Sequence, residues 1–166
     1  MRTETTHAGP RRMSLPRILL PGKGRSVSIG TGTRCTFKVT GKDTKGRFGL
    51  FEYAMAPGTE GAKPHIHKKL TEMFYVAEGE MELVLRRRHV IAPPGTFMLV
   101  PERTPHGFSN PGTKPSRLLI MFCPADSRER YFEGLAELTR GGRQPDQKAL
   151  LRLMAKFDQY MVAEGE

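Results

Sequence analysis

The sequence sets His65 and His67 two residues apart, follows them with Glu72, and delivers His106 in a second run, Pro101-Glu102-Arg103-Thr104-Pro105-His106. On an extended segment, residues two apart point to one face. A helix would hold the same pair about 200° apart. Pro64, Pro101 and Pro105 count further against helix around these positions. The spacing therefore predicts strands that aim several donor groups at one point. Three imidazoles and one carboxylate are the donor set accepted by one divalent transition metal, be it Fe, Mn, Ni, Co, Cu or Zn.

After Glu72 the chain reads Met73-Phe74-Tyr75-Val76-Ala77-Glu78-Gly79. As a strand it places Glu72 on one face with Phe74 and Val76. A charge in an apolar row is costly unless it is paired or bound to a cation, and a metal resolves that cost. In the second run, an apolar strand from Phe97 to Val100 passes through a proline turn and presents His106 at the start of another extended piece.

These two runs resemble the paired motifs of the cupin superfamily, G-x5-H-x-H-x(3,4)-E-x6-G and G-x5-P-x-G-x2-H-x3-N. His65, His67, Glu72 and Gly79 fit the first, with the leading glycine displaced to Gly58 or Gly61. Gly95, Pro101, His106 and Asn110 fit the second, with Arg103 where a glycine is usual. The flanking segments look like the small single-domain cupins grouped with quercetin-dioxygenase-like proteins. The resemblance implies an all-β fold, an antiparallel double-stranded β-helix (jelly-roll barrel) with a C-terminal helical appendage. It implies a metal held by His65, His67, Glu72 and His106, an oxygenase acting on a small enolic or phenolic substrate, and a homodimer. Glu72 is the candidate catalytic base. A metal-dependent isomerase, lyase or cyclase, and a small-molecule-binding module, stand as alternatives.

The chain has 166 residues, enough for one domain with a real core. No apolar run approaches the roughly 20 residues that cross a bilayer, and Pro16 breaks the stretch Leu15 to Leu20, so no secretory leader is expected and the cytoplasm is the expected compartment. A formal net charge of +10 arises from scattered basic residues without a nucleic-acid motif. A solvated surface is expected, with no nucleic-acid or membrane partner. Lys68 and Lys69 are placed to attract an anionic substrate. Two cysteines, Cys35 and Cys123, lie in apolar strand-like surroundings and read as buried filler.

Three segments are expected: a disordered basic tail (1–14), the barrel (15–124) and packed helices (125–166). Phe51, Tyr53 and Met55 share a strand face that suits a barrel interior. Glu80 to Leu85 and Val90 to Ala92 predict a hairpin whose turn, Arg86 to His89, lacks a residue favouring positive φ, so a loose loop is expected. His89 belongs to that turn and His7 to the tail; neither is a ligand. Arg117 to Cys123 is apolar enough for burial on both faces. Tyr131, Phe132, Leu135 and Leu138 mark one helix, ended by Gly141-Gly142. Asp146 caps a second, with Leu150, Leu153, Met154, Phe157, Tyr160 and Met161 on its apolar side. Phe51, Tyr53, Phe74, Phe97, Phe108, Ile120 and Phe122 are the candidate walls of a substrate pocket.

Overall fold

A computed structural model describes residues 16–162; the basic tail and His7 lie outside the described residues. In chain order the strands are β1 (Arg25–Ile29), β2 (Thr33–Val39), β3 (Gly49–Met55), β4 (Thr59–Glu60), β5 (His65–Ile66), β6 (Thr71–Glu78), β7 (Met81–Leu85), β8 (Arg88–Ala92), β9 (Phe97–Val100), β10 (His106–Asn110), β11 (Ser116–Cys123) and β12 (Tyr160–Met161). A short helix α1 (Gly41–Thr44) follows β2, and α2 (Arg128–Leu138) and α3 (Gln147–Lys156) follow β11. One sheet runs β1-β2-β3-β11-β6-β9; the other runs β12-β5-β10-β7-β8, with β4 beside β10. The pairings are antiparallel throughout, the arrangement of a jelly-roll barrel.

Period-two alternation builds the interior. Phe51, Tyr53 and Met55 of β3, Phe74 and Val76 of β6, and Leu118, Ile120 and Phe122 of β11 are buried. β11 is not buried on both faces as its composition suggests. Arg117, Leu119 and Met121, on the face turned away from the interior, are half-buried.

The hairpin turn is tighter than expected. Leu85 pairs with Arg88, leaving only Arg86 and Arg87 between the strands. Arg86 takes a left-handed conformation, φ 56°, which costs a non-glycine residue about 1–2 kcal/mol. Its amide donates to Pro105 O at 2.7 Å, anchoring the turn beside the second motif. His89 lies on β8 itself, exposed, with Nδ1 3.1 Å from the Glu82 carboxylate. Cys35 is buried, but Cys123 is exposed at the end of β11, so only Cys35 acts as core filler.

Helix α2 does more than coat the barrel. The Phe132 ring lies 4.7 Å from Phe51, 5.5 Å from Tyr53 and 6.0 Å from Phe122, all inward-facing residues, so it caps the interior. Against α2 packs α3, so closely that a Cβ on Gly134 would meet Leu153 Cδ1 at 2.6 Å. Asp146 caps α3 by accepting the Ala149 amide at 2.8 Å. The apolar repeat reads as continuing to Met161, yet α3 stops at Lys156. Asp158 then turns the chain in a left-handed conformation, φ 56°, and Tyr160–Met161 join the second sheet beside His65–Ile66. Among the described residues no helix is long and apolar enough to cross a membrane.

Candidate metal centre

Glu72 stands on β6 in the first sheet. His65 on β5, His67 just beyond it, and His106 at the start of β10 belong to the second. His65 and His106 are register partners. Both sheets therefore aim at one point in the interior, where one donor atom from each residue lies within 4.8 Å of the others. All four residues are at most 2% exposed.

Hydrogen bonds fix which nitrogen each ring offers. His65 Nδ1 is 2.8 Å from Lys63 O, His106 Nδ1 is 2.8 Å from Thr104 O, and His67 Nδ1 is 2.5 Å from Asp158 O. A carbonyl only accepts, so each Nδ1 carries hydrogen and each ring offers Nε2 as a ligand. Yet His67 Nε2 and His106 Nε2 stand 2.8 and 2.7 Å from the same Glu72 oxygen. With neutral rings these are contacts between acceptors. Either each contact holds a proton, carried by an imidazolium or by the carboxylic acid, or one divalent cation replaces both protons. The cation leaves the imidazoles neutral and avoids two like charges side by side. Neighbouring ligands at metal distances of about 2.1 Å lie roughly 3 Å apart, close to the contacts present.

Burial alone would push the Glu72 carboxyl up; the hydrogen bonds and charges of His106 and His67 outweigh it and hold it well below the usual range. His65 is pushed down to about 3, first by burial and then by the neighbouring His106 charge. That ring stays neutral at physiological pH, as a metal ligand must.

Six of the seven candidate wall residues face the interior: Phe51, Tyr53, Phe74, Phe108, Ile120 and Phe122 are each at most 6% exposed. Phe97 does not. It is 59% exposed, because β9 pairs with β6 in the register Phe74↔Met98 and Glu72↔Val100. Met98 and Val100 line the interior in its place, and Phe97 joins Tyr75 outside. Lys68 and Lys69 are exposed beside the centre, with Lys68 Nζ 3.9 Å from the Tyr160 ring. A surface groove of about 290 Å³ lies elsewhere, lined by Arg34, Thr36, Glu52, Glu78 and Arg117 on the outer face of the first sheet.

The motif residues without donor atoms shape the frame. Asn110 Nδ2 lies 2.9 Å from Lys114 O and 3.1 Å from Ala56 O, and its Oδ1 accepts from the Gly112 amide. Arg103 itself adopts φ 60°, and its amide donates to His67 O at 2.6 Å, tying the two motifs together. Residues 51–122 match the family described as Cupin domain. The fold is that of a cupin.

Solved structures agree on the cupin fold. KdgF from Halomonas sp. superposes with a TM-score of 0.57 at 18% identity, over 65% of this chain and 94% of that one. The polyketide cyclase RemF from Streptomyces resistomycificus gives 0.56 at 24%, over 66% and 80%. A sugar phosphate isomerase from Silicibacter pomeroyi gives 0.51 at 24%, over 64% and 69%. No curated protein matches the sequence.

Sequence patterns missed the groups behind the histidines. Carbonyl acceptors at Lys63, Thr104 and Asp158 leave no trace in residue type. Arg128, 3% exposed, sits in the charged run Arg128-Glu129-Arg130, which reads as a solvated helix start.

Proposed function

We propose that this cupin is a metal-dependent oxygenase for a small enolic or phenolic molecule. The observation that carries this is the buried convergence of three Nε2 atoms on one carboxylate, within walls that are almost wholly aromatic and apolar. His65, His67, Glu72 and His106 would hold the cation. A bound first-row dication supplies Lewis-acid and redox chemistry. Phe74, Phe108, Phe122 and Ile120 exclude water and offer flat apolar surface to a conjugated substrate. Glu72, held low while its neighbours are charged, would take the hydroxyl proton of an enol or phenol only on loosening from the cation. Among the described residues the other buried carboxylate, Glu129, accepts from the Gly41 amide, and the Tyr53 hydroxyl is the second proton-carrying group of the wall.

A second reading is a non-oxidative cyclase, isomerase or lyase that polarises a carbonyl. It is favoured by the names of two similar structures, a polyketide cyclase and a sugar phosphate isomerase. The discriminating experiment is O₂ uptake with flavonols, β-diketones and catechols after loading with Fe(II), Mn, Ni or Co in turn. Uptake matched to product supports the oxygenase. Turnover that continues unchanged without oxygen supports the second reading, and recovery of unaltered ligand supports a binding module.

A homodimer working in the cytoplasm completes the proposal. Exposed Tyr75, Phe97 and Leu99 at the β9 edge support self-association, and sedimentation analysis tests it.

A further inference from the structure

We infer that Arg128 and Asp158 are positioning residues for the metal centre: they clamp the segment after α3 onto His67 and so set how tightly the site holds a divalent cation. The inference presupposes the metal centre proposed above and assigns to it residues outside the four ligands.

His67 is the ligand least fixed by its own strand. β5 spans only His65–Ile66, and its pairing with β10 is the single register pair His106↔His65. The segment after α3 supplies the missing hold. Asp158 O accepts from His67 Nδ1, and the Asp158 carboxylate accepts the amides of Lys68 and Lys69 at 3.1 and 2.8 Å. Beyond it, β12 lies alongside β5. One residue thus fixes both the ring of His67 and the two backbone amides that follow it.

Asp158 turns the chain in a left-handed conformation, φ 56°, which aspartate adopts more readily than most non-glycine residues. Arg128 holds the chain on both sides of that turn. Its Nη1 donates to Phe157 O at 2.7 Å and its Nη2 to Gln159 Oε1 at 2.6 Å, gripping the residues on either side of Asp158. The guanidinium is stacked 4.4 Å from Phe122 and 4.3 Å from Tyr131. It makes no ion pair among the described residues, and its Nε has no partner. A buried cation without a counter-ion is costly. A planar two-pronged donor is nevertheless what two acceptors flanking one residue require. The Phe122 ring touches His67 in turn, with centroids 6.1 Å apart. Two routes therefore run from Arg128 to the same imidazole.

Groups that orient ligating histidines typically tune metal affinity by about 10–100-fold. Coupling is reciprocal: if the docked segment favours a competent His67, a bound cation must favour the docked segment.

The test titrates full-length, metal-free protein with Co(II), using calorimetry and visible absorption, for wild type, Arg128→Met, Arg128→Lys and Asp158→Ala. Hydrogen exchange is followed on wild type with and without Co(II). Arg128→Met and Asp158→Ala are expected to weaken Co(II) binding about 10–100-fold and to alter the absorption bands of the loaded protein. Arg128→Lys, which keeps the charge but reaches one acceptor, is expected to fall between. Co(II) is expected to slow exchange at Lys68, Lys69 and residues 157–162 of wild type. A merely structural role lowers stability but leaves the bands and the exchange response unmoved, and that result overturns the inference. Should Arg128→Met fail to fold, Asp158→Ala and the wild-type exchange data decide. Wild type that ignores Co(II) brings down the metal centre together with this inference. Wild type that binds, with variants equal to it, brings down the positioning role alone.

Discussion

The ring of Phe132, on the helix that follows the barrel, lies 4.7 Å from that of Phe51 on the barrel's inner wall. The helix is therefore a stopper for the interior as well as a surface layer. Phe37, Tyr53, Phe122 and Tyr131 complete the aromatic cluster around Phe132. Replacing a buried Phe by Ala removes its transfer free energy and leaves a cavity, at about 3–5 kcal/mol. Phe132→Ala is expected to lose that much in a urea titration. A loss under 1 kcal/mol would show that the helix rests outside the barrel.

The Nε2 atoms of His67 and His106 face a shared acceptor at Glu72, so a divalent cation should stabilise the fold. At a metal concentration about 100 times Kd, a ligand that binds only the native state contributes about 2.7 kcal/mol. For a domain of this size that is roughly 5–10 °C in Tm. Glu72→Gln is expected to abolish the shift. At pH 8 without metal it should be no less stable than wild type, because the amide can donate to one of the two nitrogens. Differential scanning calorimetry with and without chelator checks both halves.

Metal-free protein should weaken as pH falls. His65 titrates near 3 in the folded chain, against about 6.5 when unfolded. Between those values the unfolded state binds more protons, so stability rises with pH and is lost on acidification. Glu72 acts in the same sense below about 4.5, since its folded carboxyl is held lower still. Urea midpoints measured with chelator from pH 7 to 4 are expected to decline, and His65→Gln should flatten the decline between pH 6.5 and 4.5. An unchanged slope would mean that His65 is not buried as a neutral ring.

The interior face of the barrel was legible because period-two alternation is a local property. Phe51, Tyr53 and Met55 could be assigned together from their spacing. Phe97 could not, because its side depends on register with β6, and bulk favoured Phe97 over Met98. The donor set was legible because its spacing is local within each run. Its orientation was not, since main-chain oxygens of Lys63, Thr104 and Asp158 fix the rings. Met161 continues a helical repeat in sequence but forms a strand, because pairing with His65 is a contact the repeat does not encode.

Two turns of positive φ yield opposite predictions. Gly79 sits at φ 65°, and a Cβ there would meet Pro115 O at 2.4 Å and Ser116 Cα at 2.9 Å. Both are backbone atoms that cannot swing aside. Gly79→Ala should therefore cost about 1–2 kcal/mol for the conformation and about 1–3 kcal/mol more for the clash. Arg103 sits at φ 60° with its amide bonded to His67 O, and bears a side chain where the conformation favours none. Removing that side chain relieves the left-handed strain, partly offset by the added freedom of glycine in the unfolded chain. Arg103→Gly is expected to be stabilising by up to about 1 kcal/mol, with Co(II) affinity unchanged because the amide hydrogen bond remains. Paired urea titrations measure the two signs. A destabilised Arg103→Gly would show that the arginine side chain, and not only its amide, helps hold the turn before His106.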